Sequence, residues 1–390
     1  MKIQRTIEKE VKILAKEFPI VTILGPRQSG KTTLAKELFP NYQYISLEDL
    51  DVRKAASEDP RGFIEQYNHR VIFDEIQYVP QIFSYLQTHS DALDETAAFI
   101  LTGSQNYLLM EHITQSLSGR VGIATLLPFS IEEALQYHAT VSADELLFSG
   151  FFPRIFDKNI RPSRYYADYI KTYIERDVRT LKNITNYTTF NIFLQLLAGR
   201  SGQLLNVNAL ANEANIARQT AEEWLSVLET SYIIFRLHPF HKNYKKRLTK
   251  QSKVYFYDTG IVCHLLGLTS ADQLVTHYLR GSIFESMVIS NFIKENEHHG
   301  GGRQLFFWRD HQHNEVDLLI EQAGVVQNYE VKSGKTARQE YTKGLHFWNK
   351  LSNSSANNST VIYGGDKELL FDGIHFSPWN SRKLYNPKTV

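Results

Sequence analysis

Short apolar runs alternate with polar, helix-forming stretches through the first third of the chain: Ile20–Leu24, Tyr42–Ile45, Val71–Phe73, Phe99–Thr102 and Ile123–Leu127. Runs that stay apolar at successive positions predict strands buried on both faces, and the helical stretches between them predict a parallel sheet covered by helices. Pro128, Gly150 and Pro153 punctuate the next stretch, and Tyr165–Thr180 predicts an amphipathic helix leaving that sheet. From Phe190 to Leu237 the pattern reads helix, turn, helix, turn, helix, then a short strand Ile233–Leu237. Beyond Gly281 a helix, Ile283–Lys294, precedes several short strands. The resulting segments are 1–127, 128–185, 186–280 and 281–390, with an α/β character at both ends of the chain. No fixed-period repeat is present, and Leu351–Thr360, rich in Ser and Asn, predicts a mobile loop.

Composition narrows the class. With 390 residues and 42% hydrophobic content, two or three folded domains are expected. The lone Cys263 excludes an internal disulfide and a cysteine zinc cluster, so a metal would have to sit on carboxylates. No apolar run approaches the roughly 18 residues of a membrane span, and Met1-Lys2-Ile3-Gln4-Arg5 lacks the apolar stretch of a signal peptide; a soluble, cytoplasmic protein is expected. Since 43 Lys+Arg stand against 42 Asp+Glu, any nucleic-acid surface must be a local patch.

The strongest chemical signal is Gly25-Pro26-Arg27-Gln28-Ser29-Gly30-Lys31-Thr32, set between the strand-like Val21–Leu24 and the helix formers Thr32–Leu38. Strand, glycine loop and helix in that order are the context of a phosphate-binding loop. Gly25 and Gly30 let backbone N–H groups turn toward phosphates at the positive end of the succeeding helix. In this reading Lys31 pairs with the β- and γ-phosphates of ATP, Thr32 supplies a hydroxyl to Mg2+, and Thr33 extends the cradle. Val71-Ile72-Phe73-Asp74-Glu75 supplies the complementary strand ending in acids. Two adjacent acids there are costly without a cation. Asp74 fits the magnesium partner, and Glu75 fits the base acting on the attacking water. Ala98–Thr102 runs into Gly103-Ser104-Gln105, placing Ser104 or Gln105 between the two motifs, with helix capping as the competing role for Ser104. Arg120, in Ser118-Gly119-Arg120, is the first candidate for an arginine that stabilises phosphoryl charge in its own chain or a neighbour's. Arg176 and Arg179 are alternatives, and a surface ion pair is the competing role for each.

GPRQSGKTTL, VIFDEIQ, ILTGSQN, SLSGRV with LLPFS, GFFP and YIERDV, in order, resemble the bacterial and archaeal AAA-type ATPases that carry a C-terminal domain of unknown function. The resemblance runs from about residue 18 to 340. It implies ATP binding and hydrolysis and leaves the physiological load open.

In the middle segment, Leu205–Ala211 starts a helix that an Asn can cap, and Asn215–Thr220 makes the turn and start of a second helix with Trp224, Leu225 and Leu228 on one face. With Tyr232–Leu237 and the basic stretch Arg236–Lys253 as a wing, this predicts a winged-helix module, which the family resemblance also implies. That stretch contains seven Lys or Arg and no acid, so DNA is an expected partner, with Arg218, Gln219 and Thr220 at the contact. Winged helices also serve protein contacts, which leaves self-association or a protein partner open.

Glu315–Glu321 and Val325–Lys332, joined through Gln322-Ala323-Gly324, predict a hairpin. A two-residue turn at Ala323-Gly324 places Asp317 opposite Glu330, whereas a three-residue turn moves them by one position; Lys332 lies on the face of Glu330. Asp followed by Glu-x-Lys resembles the metal-and-lysine site of the PD-(D/E)xK nucleases, and Glu285 resembles the helix acid that completes it. That resemblance implies a restriction-endonuclease-like fold in 281–390, Mg2+ on Glu285, Asp317 and Glu330, and Lys332 activating water. A domain that keeps the fold without cutting is the alternative.

Overall fold

Strand β1 (Ile20–Gly25) is buried at every position. Its alternate side chains feed two apolar clusters: Ile20 and Leu24 pack with Phe73, Phe99 and Leu101, while Val21 and Ile23 pack with Ile72, Ile100, Leu34 and Leu126. Helices cover both faces, which is why the strand reads as an unbroken apolar run. In the computed structural model, which describes residues 3–93, 95–104, 113, 116–137, 139–178 (without the side chains of 175–178), 186–240, 251–322 and 324–385, β1 lies between β4 (Phe99–Ser104) and β5 (Val121–Thr125). Beyond β4 come β3 (Val71–Asp74) and β2 (Gln43–Ser46), giving the order β2-β3-β4-β1-β5 with all pairings parallel. The C-terminal ends of these strands therefore share one edge, with β4 between β1 and β3.

The last strand starts two residues before the expected Ile123. Gly122 carries no apolar signal, yet the helix Glu8–Glu17 and the residue after it pack directly on it: a Cβ there would meet Phe18 at 2.8 Å and Leu14 at 3.0 Å. Two compact units make up the chain, the first comprising Met1–Phe129, Thr230–Tyr232 and Glu297–Gly300, the second the remainder.

The second unit is organised on a nine-stranded sheet. Its strands are β6 (Gln203–Leu204), β7 (Ile234–Pro239), β8 (Lys253–Phe256), β9 (Gln304–Arg309), β10 (Glu315–Gln322), β11 (Val325–Lys332), β12 (Ser359–Tyr363), β13 (Leu369–Phe371) and β14 (Ile374–Pro378). The order is β13-β14-β12-β11-β10-β9-β7-β8-β6. β10 and β11 form the antiparallel hairpin, closed by the pair Gln322 and Val325. β7 and β8 are antiparallel, and β7 joins β9 in parallel through His238 and Pro239 opposite Phe306 and Phe307. Strands from either side of residue 280 thus share one sheet.

The helix–turn–helix pattern appears as Val207–Glu213 and Arg218–Thr230. Asn206 caps the first by accepting the Ala209 N–H, and Trp224 meets Phe190 and Phe193 edge-on with centroids 5.1 and 5.2 Å apart. Two expectations are corrected. Tyr165–Thr180 is an α-helix only over Pro162–Tyr169 and continues as π-helical turns over Ile170–Val178. Leu351–Thr360 is built structure: Lys343–Ser352 is helical, Asn353 sits at φ 58°, Ser355 caps the turn Ala356–Asn358, and β12 begins at Ser359. Its Ser and Asn residues are caps and turn formers, which have the composition of a loop. Among the described residues no helix is long and apolar enough to cross a membrane.

Candidate functional site

At the end of β1 the chain turns through Gly25 (φ 149°), exposed Gln28 (φ 63°) and Gly30 (φ 99°) before the helix Lys31–Leu38. Gly25 is required by contact as well as by conformation, since a Cβ there would lie 2.1 Å from the Leu126 carbonyl oxygen. Pro26 is buried and Arg27 reaches the Tyr78 hydroxyl at 3.0 Å. The buried Ser29 hydroxyl has no hydrogen-bond partner among the described residues. Lys31 is buried, and its ammonium donates to the Gly25 and Pro26 carbonyls at 3.1 and 3.0 Å. Burial pushes its pKa down against the pull of Glu75 and Asp74. A cation folded back on its own loop with little water is prepared for an anionic partner. Thr33 points to the exposed side of the helix start.

Asp74 is buried at the tip of β3 and accepts hydroxyl donors from three elements: Thr32 at 3.0 Å, Tyr44 at 2.7 Å and Thr102. Burial first, then the bond to Asp74, raises the Tyr44 pKa. Thr32 and Asp74, nominated from separate motifs, are therefore in contact. Glu75 stands at φ 56°, a strained conformation for a non-glycine residue. Its carboxylate accepts the Ser104 N–H at 3.3 Å, the Ser104 hydroxyl at 3.4 Å and the Gln77 amide. The register sets Ser104 beside Gly25, between the loop and the acids. Gln105 lies outside the described residues.

Tyr44, Thr102 and Gln77 escaped sequence reasoning, and so did Arg5. Buried Arg5 donates to the Ser29 carbonyl at 2.8 Å and the Leu127 carbonyl at 2.7 Å, clipping the loop to the chain after β5. Nothing local hints at it, since Gln4 and Thr6 flank it and Lys2 and Glu8 stand close by.

Arg120 is corrected as a residue acting in its own nucleotide site. It precedes β5 and faces the start of β1, where its carbonyl accepts the Ile20 N–H. The loop is at the other end of that strand, about 16 Å away at about 3.3 Å per residue. Its guanidinium instead forms a two-pronged pair with Asp91, with Nη2 2.9 Å from Oδ2, the competing surface ion pair. Arg179 and the side chain of Arg176 lie outside the described residues.

In the second unit, continuing the β10–β11 register by one position sets Asp317 opposite Glu330. The β9–β10 register breaks between Val316 and Leu319, a bulge that re-aims Asp317. Asp317 Oδ2 accepts the Val331 N–H at 2.8 Å and lies 3.8 Å from Lys332 Nζ, which is 2.5 Å from Glu330 Oε1. Glu285, on the helix Arg280–His298, accepts the Tyr255 hydroxyl at 2.6 Å. The four nominated residues are thus gathered, and a cation that no motif nominated stands among them. Lys253, from β8, is buried with its ammonium 3.0 Å from Glu285, 2.5 Å from Glu315 and 3.7 Å from Asp317. Glu315 also pairs with Arg309 at 3.1 Å. Burial acts to lower the Lys253 pKa, but Glu285, Tyr255, Asp317 and Glu315 outweigh it and hold the group protonated. The repulsion expected between Asp317 and Glu330 is met by ammonium groups: Lys332 lies against both and Lys253 against Asp317. Among the described residues no cluster of three or more His, Cys, Asp or Glu is arranged to hold a metal ion. Burial, with the charge of Asp317, lifts Glu330 well above the carboxylate range against the opposing pull of Lys332.

The basic stretch Arg236–Lys253 is also partly reassigned. Arg236 pairs with Glu229 at 2.6 and 2.7 Å and with Glu222 at 3.6 Å, and Lys253 is buried, so neither is a free surface cation. The other five lie at 242–250, outside the described residues. Arg218 and Gln219 are exposed at the start of their helix, 3.9 Å from Glu222 and 3.2 Å from Glu223, with Thr220 half-buried beside them.

Comparison with known proteins matches three segments of the chain. A family model described as an AAA domain matches residues 17–135. Two models described as domains of unknown function, DUF8612 and DUF4143, match residues 141–272 and 280–381. An uncharacterised protein of Mycobacterium tuberculosis is 28% identical over 323 residues, covering 82% of this chain and 71% of its own. One from Methanocaldococcus jannaschii is 25% identical over 350 residues, covering 74% and 69%. Among solved structures, a Walker-type ATPase of Pyrococcus abyssi aligns at 15% identity over 66% of this chain and 94% of its own, with a TM-score of 0.45. AMPPCP-bound DnaA from Aquifex aeolicus aligns at 14% identity over 57% and 85%, with a TM-score of 0.30. The AAA-domain match, with the parallel sheet and glycine loop, supports an AAA-type P-loop ATPase in the first unit.

Proposed function

We propose that the first unit binds and hydrolyses ATP with Mg2+, and that this cycle switches the engagement of DNA by the rest of the chain. The observation that carries the first part is the contact of Thr32 with Asp74 beside the loop bearing Lys31, with Glu75 and Ser104 at the same strand edge. Glycine contact at Gly25, the buried Ser29 hydroxyl and the desolvated Lys31 all fit a phosphate chain. When bound, Mg-ATP supplies the scissile phosphoanhydride and the metal's charge on its oxygens. Lys31 would balance β- and γ-phosphate charge, Thr32 and Asp74 would hold the ion, Glu75 would take the proton of the attacking water, and Ser104 would orient the Glu75 carboxylate.

Lys31→Ala is expected to lose ATP binding, whereas Glu75→Gln should bind ATP and slow hydrolysis by about 100-fold or more. Nucleotide binding by fluorescence and phosphate release separate the two. Hydrolysis at the wild-type rate in Glu75→Gln would refute the assignment.

For the second unit, the winged-helix reading of 186–280 and the nuclease-like reading of 281–390 supply the DNA-facing parts. Asp317, Glu330, Lys332 and Glu285 support a PD-(D/E)xK-like arrangement. Lys253 among the same acids favours the version that grips nucleic acid or a protein partner without cutting it. Wild-type protein is expected to leave supercoiled and linear DNA intact with Mg2+ or Mn2+, with or without ATP. Cleavage that disappears in Asp317→Asn would restore the nuclease version.

A further inference from the structure

Lys253 belongs to none of the motifs that nominate the carboxylate cluster. It stands in β8, paired with Leu237 of β7 on one side and Leu204 of β6 on the other, so its position is set by two ladders. Its side chain is nearly inaccessible, at 3% exposure. From there the ammonium meets carboxylates of two elements: Glu285 on the helix Arg280–His298, and Glu315 and Asp317 on β10. Asp317 is shared, with Oδ1 toward Lys253 and Oδ2 toward Lys332. The remaining oxygen of the cluster is instructive: Glu330 Oε2 is buried with no hydrogen-bond partner among the described residues. That oxygen stands on the Lys332 side, whereas Glu285, Glu315 and Asp317 converge on one point, and that point is filled by the Lys253 ammonium.

We propose that Lys253 is a built-in cation occupying the seat that a divalent ion would otherwise take, so that the cluster is closed to metal in the native protein and opens to it when Lys253 is removed. The ammonium and a divalent ion compete for the same oxygens. A tethered ammonium loses no translational freedom on binding, so its effective concentration excludes free ions at millimolar levels. Taking it away leaves buried Asp317 and half-buried Glu285 and Glu315 without their shared partner, a state that an oxygen-seeking ion relieves. The inference rests on the non-cutting reading only for why the seat exists; metal binding and DNA cleavage are measured separately, so either can fail alone.

The test uses nucleotide-free full-length protein and Mn2+ followed by its electron paramagnetic resonance signal. Wild type should not deplete free Mn2+ at this cluster. Lys253→Met should bind it about tenfold or more tightly than wild type, a range that a single group near a metal can control, and adding Asp317→Asn should abolish the gain. The double variant Lys253→Met with Glu315→Gln removes one charge of each sign and guards against misfolding. If either variant folds only with Mn2+, the proposal stands. Wild-type binding that Asp317→Asn removes would overturn it, as would folded variants that take up no Mn2+, or variants that Mn2+ fails to fold.

Discussion

Asp74 holds three hydroxyls and, among the described residues, no cationic side chain within hydrogen-bond reach, while Asp317 is flanked by two ammonium groups. The two buried acids are solved differently because their partners differ: hydroxyls can yield to an incoming ion at little loss, and ammonium groups resist one. A third buried acid, Glu295, has a simpler consequence. Burial, assisted by the charges of Glu133 and Glu132, pushes its pKa up to about 7 against the opposing influence of Ser130 and Arg303. The folded chain then holds this proton more tightly than the unfolded chain, so stability falls as pH rises from about 4.5 to about 7 and is level above. Full displacement corresponds to as much as about 3 kcal/mol. Glu295→Gln should match wild type near pH 5 and exceed it at pH 7.5, as read from urea midpoints. A wild-type advantage at pH 7.5 would refute the shift.

Elements differ in how openly the chain announces them. β1 and β3 were legible because both faces are buried and the glycine loop or acid pair follows at once, so local pattern and chemistry coincide. β10 and β11 were legible because their turn and alternation lie within one short stretch, and the register follows the two-residue turn. β5 began early because Gly122 packs through the absence of a side chain, which leaves no mark in an apolar pattern. Ser and Asn between Leu351 and Thr360 resembled a loop because caps and turns use the same residues. Lys253 was unreadable in principle from local pattern. It lies 32 residues before Glu285, and a lysine at the end of a basic stretch carries no sign that it turns inward. Arg5, with 24 residues to Ser29 and 122 to Leu127, is the same case. Long-range pairing chose both partners.

At the scale of the whole chain, the nine-stranded sheet joins what the motifs suggested as separate segments, since β7 pairs with β9 and β8 delivers Lys253. A fragment of residues 281–390 would leave β9 as an open edge and Glu285, Glu315 and Asp317 without their ammonium. It is expected to be insoluble or to lack a cooperative transition, whereas 130–390 should unfold cooperatively. Comparable unfolding of both by circular dichroism would show that the shorter piece is self-sufficient. The same sheet ends on β6 and β13, strands of two and three residues. Leu369 and Leu370 of β13 are exposed, but Asp366, Lys367 and Glu368 precede them and Asp372 follows. Edges this short, bracketed by charge, offer an incoming chain too few free N–H and carbonyl groups to template another strand. Lengthening either terminal strand would add free N–H and carbonyl groups at the rim and is expected to promote edge-to-edge association between copies.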